Sequence, residues 1–272
     1  MYNTALLLGV LTAIFLAIGW FFFGVWGMTF ALILSVIING VIYWYSDRLV
    51  IKMHGARPSD NEDMRNIIKQ LAYDAGIPVP KIYTIPKDVP NAFATGRNPN
   101  NASVVYTKGI LRLNNEEIKA VMAHEITHIR NRDLLVSTIA AVVAGAISYI
   151  AQIGYWSLFL GGDERNQGNL IGLILIIIFA PLAALIVRMG ISRSMEYRAD
   201  SGGAVLCKNP KALASALRNI DRMSRLKPYR GGSTATSHMW IVNPFKRDWF
   251  SQLFSTHPPI EERIRRLVRM GS

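Results

Sequence analysis

The sequence predicts a mainly α-helical chain with a small β-sheet, in which four apolar helices alternate with the two halves of a polar domain. Three observations predict it. Asp, Glu, Lys and Arg are absent from Met1 to Ser46, from Leu134 to Gly162 and from Gln167 to Val187. About 20 apolar residues cross a hydrocarbon core, so the first run holds two spans and the others one each. The polar segments carry helical periodicity, broken by one stretch of short β-rich runs between Ile77 and Tyr106.

Residues 1–46 read as a hairpin of two spans joined at Phe23-Gly24-Val25-Trp26-Gly27. A signal peptide is the alternative, but the run has no basic n-region, is too long and shows no cleavage site. Residues 47–133 form the first half of the polar domain. Pro58-Ser59-Asp60-Asn61-Glu62 reads as a helix start with Ser59 and Glu62 spaced as a capping box, followed by Met64, Ile67, Ile68 and Leu71 at helical spacing. Lys81–Ile85 and Ala102–Thr107 read as strands, and Asn114 or Asn115 caps a helix that opens with Glu116 and Glu117. Residues 134–187 form the second hairpin, around the polar loop at 161–166. Buried core helices are the alternative there, although continuous apolarity without a polar stripe marks lipid-facing helices. Residues 188–272 complete the polar domain. Asn209-Pro210 opens a helix to about Leu226, Lys227–Thr256 reads as a long, mobile, functional loop, and Pro259 opens a last basic helix to Met270.

Of the 30 Lys and Arg, 13 lie between Asp47 and Arg132, one is Arg165, and 16 lie from Arg188 onward. The positive-inside rule puts both polar segments and both termini on the cytoplasmic side of a multi-pass protein of the cell membrane. The net charge of +12 then reads as attraction to anionic headgroups of the lipid bilayer. No zinc-finger, RNA-binding or helix-turn-helix pattern supports a nucleic-acid partner. The single cysteine, Cys207, excludes an intramolecular disulfide, suits a reducing compartment and reads as a small buried filler.

The chemistry centres on His124-Glu125-Ile126-Thr127-His128, an HExxH pattern. Positions i and i+4 share a helix face, so both imidazoles reach one metal ion, and Glu125 can take a proton from a metal-bound water. Five His and eight Glu in this length predict only ~0.003 such matches by chance. The apolar neighbours Met122, Ala123, Ile126 and Ile129 make idle histidines costly there. A catalytic zinc needs a third protein ligand, and Glu196 is the next candidate. Glu196 and Asp200 are again four apart, so one can bind metal while the other orients a liganding histidine.

These motifs, with Glu196-Tyr197-Arg198-Ala199-Asp200, Thr256-His257-Pro258-Pro259, Arg263 and Asn91-Ala92-Phe93-Ala94-Thr95-Gly96, resemble the HtpX-type membrane zinc endopeptidases over nearly the whole chain. The resemblance implies a cytoplasmic zincin-like (gluzincin) catalytic domain holding one Zn2+ per chain. It implies His124, His128 and Glu196 as ligands and Glu125 as general base. The implied activity is endoproteolysis of membrane proteins, misfolded or damaged ones among them, in quality control and stress response, together with self-cleavage. It gives His257 a place near the metal, donating to an oxyanion or closing the open position in a resting form. Arg263 would steer a carboxylate or the oxyanion. Without the resemblance, His257 is the end of a loop before a helix, and His54 and His238 are surface residues.

Spacing adds two expectations. If the HExxH helix continues through Asn131–Asp133 into the third span, His128 lies ~9 Å from the hydrocarbon, so substrates are cut close to their own spans. Ala102, Ser103, Val104, Val105 and Tyr106 should form an edge strand that holds an extended substrate by strand addition. Two other functions fit parts of the pattern: a prenylated-peptide endopeptidase, for which four spans give a small chamber, and a non-catalytic membrane scaffold, which would not need Glu125. The partners expected are polypeptide or membrane-protein substrates and the bilayer, with oligomer formation open.

Overall fold

The computed structural model of the chain describes residues 2–134, 192–226 and 258–271. The last two apolar runs apart from Leu134, the loops at 161–166 and 227–256, His238 and His257 lie outside the described residues. Contacts divide the chain into two units, one of Met1–Tyr43 with Val136–Gly190 and one of Trp44–Leu135 with Ile191–Ser272.

Helix α1 (Tyr2–Met53) is broken at Gly24, whose φ of 60° and ψ of −144° need a residue without a Cβ. The break falls within the Phe23–Gly27 connection read from the sequence. Over the residues whose side chains are described, no helix is long and apolar enough to cross a membrane, so the four spans stay an expectation of the sequence.

The second unit is mainly helical around a small mixed sheet. Strands β1 (Arg57–Pro58), β2 (Lys81–Ile85), β3 (Ala92–Asn98) and β4 (Asn101–Thr107) lie in the order β1-β2-β4-β3. The β2–β4 pair is parallel, and the β1–β2 and β3–β4 pairs are antiparallel. Both faces of the sheet are covered. Val104 and Tyr106 enter the main core, while Val105, Phe93 and Ile85 meet Val50 and Ile51 from the last turns of α1. His54 stacks on Phe93 with ring centroids 5.3 Å apart, so it is a half-buried packing residue and not a surface one.

This topology corrects the expectation of an edge strand at Ala102–Tyr106. Strand β4 is paired on both sides, and the edges are the two-residue β1 and the longer β3, whose Phe93 and Thr95 stand among Ala, Gly and Asn and so announce a strand only weakly. The β3–β4 turn closes tightly: Gly96 has φ 141°, and a Cβ there would lie 2.3 Å from the Asn101 carbonyl oxygen.

Helix α2 (Glu62–Asp74) is capped by Asn61, whose side chain accepts the Met64 N–H at 2.8 Å. The Ser59–Glu62 capping box is not formed. Ser59 is buried, and its hydroxyl is committed to the Tyr106 hydroxyl at 2.5 Å. A true capping box opens α3 (Asn115–Asn131), where the Asn114 and Glu117 side chains each accept the other's backbone N–H. The acidic first turn suits the helix dipole. Helix α4 (192–207) follows in the described chain, then α5 (Pro210–Leu226) and α6 (Ile260–Met270). Helix α3 packs against β3, α2 and α5, and α6 packs on α5. The buried Ile260, Arg263 and Leu267 of α6 form one stripe at i, i+3 and i+7.

Two glycines set the spacing of α4 and α3. A Cβ at Gly202 would lie 2.5 Å from Thr127 Cγ2, and one at Gly203 would lie 2.8 Å from His124 Cα and N. A Gly→Ala change within a helix normally gains up to ~1 kcal/mol. At Gly203 the obstacle is backbone, so overpacking of ~1–3 kcal/mol should win. Gly203→Ala is therefore expected to lower the thermal midpoint of the purified protein, whereas an unchanged or raised midpoint would show that the two helices are not held at this separation.

Candidate metal centre

Helix α3 carries His124, Glu125 and His128 into an apolar setting where Met122, Ala123, Ile126 and Ile129 are at most 1% exposed. Both rings come from the same face one turn apart, edge to face, with centroids 4.7 Å apart and Nε2 atoms 3.2 Å apart. Helix α4, drawn close by Gly202 and Gly203, brings Glu196 to them. Its Oε2 lies 3.7 Å from His124 Nε2, and its Oε1 lies 3.6 Å from His128 Nε2. One donor atom from each of His124, His128 and Glu196 lies within 4.8 Å of the others.

The far side of each ring meets a carboxylate. His124 Nδ1 is 3.1 Å from Asp200 Oδ1, at ion-pair distance but without the alignment of a full hydrogen bond. His128 Nδ1 is hydrogen-bonded to Asp133 Oδ2 at 3.1 Å. Carboxylates only accept, so each ring keeps its proton on Nδ1 and turns Nε2 toward Glu196. Asp200 is itself held by Arg263, which donates from Nε and a terminal nitrogen at 2.8 and 2.7 Å and reaches Glu196 Oε2 with the other at 3.0 Å. Arg263 is 1% exposed. The carboxylates it meets among the described residues are the protein's own Asp200 and Glu196.

Glu125, Asp133, Glu196 and Asp200 are all buried; Arg263 pairs with Glu196 and Asp200, and Arg198, from the surface, lies 3.0 Å from Asp133 Oδ1. Burial pushes Asp200 up, yet Arg263 and His124 hold it below the ordinary carboxylate value. Burial also works against the charge of Arg263, and Asp200 and Glu196 reverse it. Burial lowers His128, but the Asp133 hydrogen bond and the Glu196 carboxylate outweigh it and raise the imidazole to about 10. The buried donors and their number fit a metal ion held by His124, His128 and Glu196.

The model of peptidase family M48 matches residues 58–270. The chain belongs to peptidase family M48. Among relatives of this M48 peptidase, the Protease HtpX homolog of Syntrophotalea carbinolica is 47% identical over 98% of both chains. Those of Pyrococcus abyssi and Persephonella marina are each 48% identical, over 99% of this chain and 95% and 96% of theirs. The crystal structure of S. mikatae Ste24p resembles this M48 chain with a TM-score of 0.53 at 20% identity, over 95% of this chain and 62% of that one, a likeness of fold. The protein is a metalloprotease, a hydrolase of peptide bonds.

Sequence reasoning missed Asp133. The condition that the HExxH helix continue through residues 131–133 is not met without a break, because α3 ends at Asn131 and Arg132 turns left-handed at φ 60°. Arg132 is not glycine, so nothing in its identity announces the turn. Cys207 is a buried filler as expected, and burial pushes its thiol up. Metal uptake should release a proton, because His128 is protonated below about pH 10 in the metal-free site and must lose that proton to ligate. Calorimetry at pH 7 in buffers of different ionisation enthalpy should show about one proton released from this group, with metal affinity rising as pH rises. Proton-neutral binding would contradict this protonation of His128.

Proposed function

We propose that this M48 metalloprotease is a zinc-dependent endopeptidase of the cell membrane that cuts cytoplasmic regions of membrane proteins, damaged or misfolded ones among them. The observation that carries the proposal is the convergence of His124 and His128 on Glu196, with Glu125 buried beside the first ligand. Two imidazoles and one carboxylate are a donor set that suits zinc and leaves a coordination position open. When bound, zinc supplies Lewis-acid polarisation of the attacking water and of the scissile carbonyl.

The chain's own residues supply the rest. His128 presents Nε2 because Asp133 accepts from its Nδ1, and Asp200 stands behind His124 Nδ1 at ion-pair distance. Glu196 is kept in register with them by the Arg263 guanidinium at 3.0 Å. Glu125 takes the proton of the attacking water and passes it to the leaving amine, a carboxylate step worth ~10²–10⁴-fold. Its adjacency to His124 on the same helix turn gives it reach to the same water. A scaffold would need the three donors but would gain nothing from a buried Glu125 at this position.

Among the described residues β3 has a strand partner on one side only, so its outer edge is the place for an extended substrate to add by main-chain hydrogen bonds. Such binding reads backbone more than side chain and suits broad specificity. Membrane residence is supported by the uncharged runs and by the apolar side chains that α1 leaves exposed, among them Trp26, Phe30, Ile33, Val36 and Ile37. The basic residues that flank the runs favour a cytoplasmic catalytic domain and cytoplasmic termini.

Glu125→Gln tests the reading. Detergent-purified wild type should cleave a fluorescent casein in a chelator-sensitive way that zinc restores. Glu125→Gln should lose at least ~10²-fold in rate while keeping one zinc per chain. Equal turnover by the two proteins would remove Glu125 from the mechanism, and metal loss in the variant would make it a ligand rather than a base.

A further inference from the structure

We propose that Asp133 is the positioning residue that fixes the His128 ring for metal ligation, a role that rests on the metal-site reading given above. At 100° per residue, a side chain five positions after His128 on a continuing helix would point about 140° away from it. The chain avoids this by leaving the helix. Arg132 adopts φ 60°, ψ 31°, and its N–H closes onto the carbonyls of His128 and Ile129. That turn throws Asp133 back so that its Oδ2 lies 3.1 Å from His128 Nδ1.

A left-handed residue other than glycine costs ~1–2 kcal/mol. Burying a carboxylate without partners costs more still. Asp133 is 2% exposed, and both its oxygens are engaged, one by His128 and one by Arg198. The strain at Arg132 and the burial of Asp133 thus serve one result, an imidazole whose Nδ1 keeps its proton and whose Nε2 faces His124 Nε2 and Glu196 Oε1 at 3.2 and 3.6 Å. A residue needed only to end the helix would do so from solvent, with no reason to be buried against the ring.

The arrangement repeats that on the first histidine. His124 leans on Asp200 and then Arg263, and His128 leans on Asp133 and then Arg198. The two arms differ in exposure. The Arg263 side chain is 1% exposed and that of Arg198 is 57% exposed, so solvent screens the outer cation of the second arm. Orientation of His128 therefore depends on the left-handed turn and the Asp133 hydrogen bond more than on Arg198.

The test measures zinc affinity of the full chain by competition with a chromophoric chelator, and the visible bands of the Co2+-substituted protein. Asp133→Ala should weaken zinc binding by about 10–100-fold and shift the Co2+ bands, because the ring loses its fixed orientation. Asp133→Asn should also weaken binding, since an amide can donate as well as accept and no longer fixes the tautomer; it carries the test if the alanine variant does not fold. Wild-type affinity and an unchanged Co2+ spectrum in the folded variants would overturn the role of Asp133 alone. Failure of the wild type to bind zinc, or undiminished binding in His128→Ala, would overturn the metal-site reading itself.

Discussion

The buried guanidinium of Arg263 is the interaction on which the rest of the site depends. It comes from the last helix, α6, and its three nitrogens engage Asp200 and Glu196 on α4. Those two carboxylates in turn meet the histidines of α3. Elements from three parts of the chain are thereby joined through one charged group that has no access to water. Breaking a buried pair of this kind by removing one partner costs ~3–5 kcal/mol, because the other charge is left uncompensated. The C-terminal helix is thus part of the metal centre. Its remaining contacts agree with that: Arg266 lies over the Tyr197 ring at 3.7 Å, next to Glu196 in sequence.

Packing permits what the charges require. Helix α4 reaches the HExxH helix only because Gly202 and Gly203 present bare backbone to Thr127 and His124. The capping box at Asn114 sets where α3 starts, and the left-handed Arg132 sets where it stops. Between them the helix delivers His124, Glu125 and His128 to one place, and the turn beyond it returns Asp133 to His128. The local choices and the tertiary arrangement point the same way.

The convergence of His124 and His128, with Glu125 beside them, was legible in the sequence because HExxH is a helix-face argument, and a match is rare by chance. The partner pair Glu196 and Asp200 was legible for the same reason, one turn apart on a second helix. What was not legible depends on the fold. The long edge of the sheet is β3, and in Ala92-Phe93-Ala94-Thr95-Gly96 the two strand-favouring residues stand among Ala and Gly, so the run does not stand out. Ser59 looked like a cap, but Tyr106, 47 residues away, claimed its hydroxyl. Asp133 looked like the continuation of a helix until a non-glycine residue turned left-handed beside it. Arg263 was marked by its motif, yet its target became visible only when α6 met α4. Each of these turns on a contact distant in sequence, or on a backbone angle that residue identity does not dictate.

The buried cluster of His124, His128 and Glu196 is suited to hold one divalent ion. The most direct test is anomalous diffraction at the zinc edge from crystals of the zinc-loaded protein. The prediction is one peak per chain, about 2.0–2.2 Å from His124 Nε2, His128 Nε2 and a Glu196 carboxylate oxygen. Asp200, Asp133 and Arg263 should remain behind those ligands. A zinc peak elsewhere, or Glu196 bound to Arg263 alone with the histidines unligated, would contradict it.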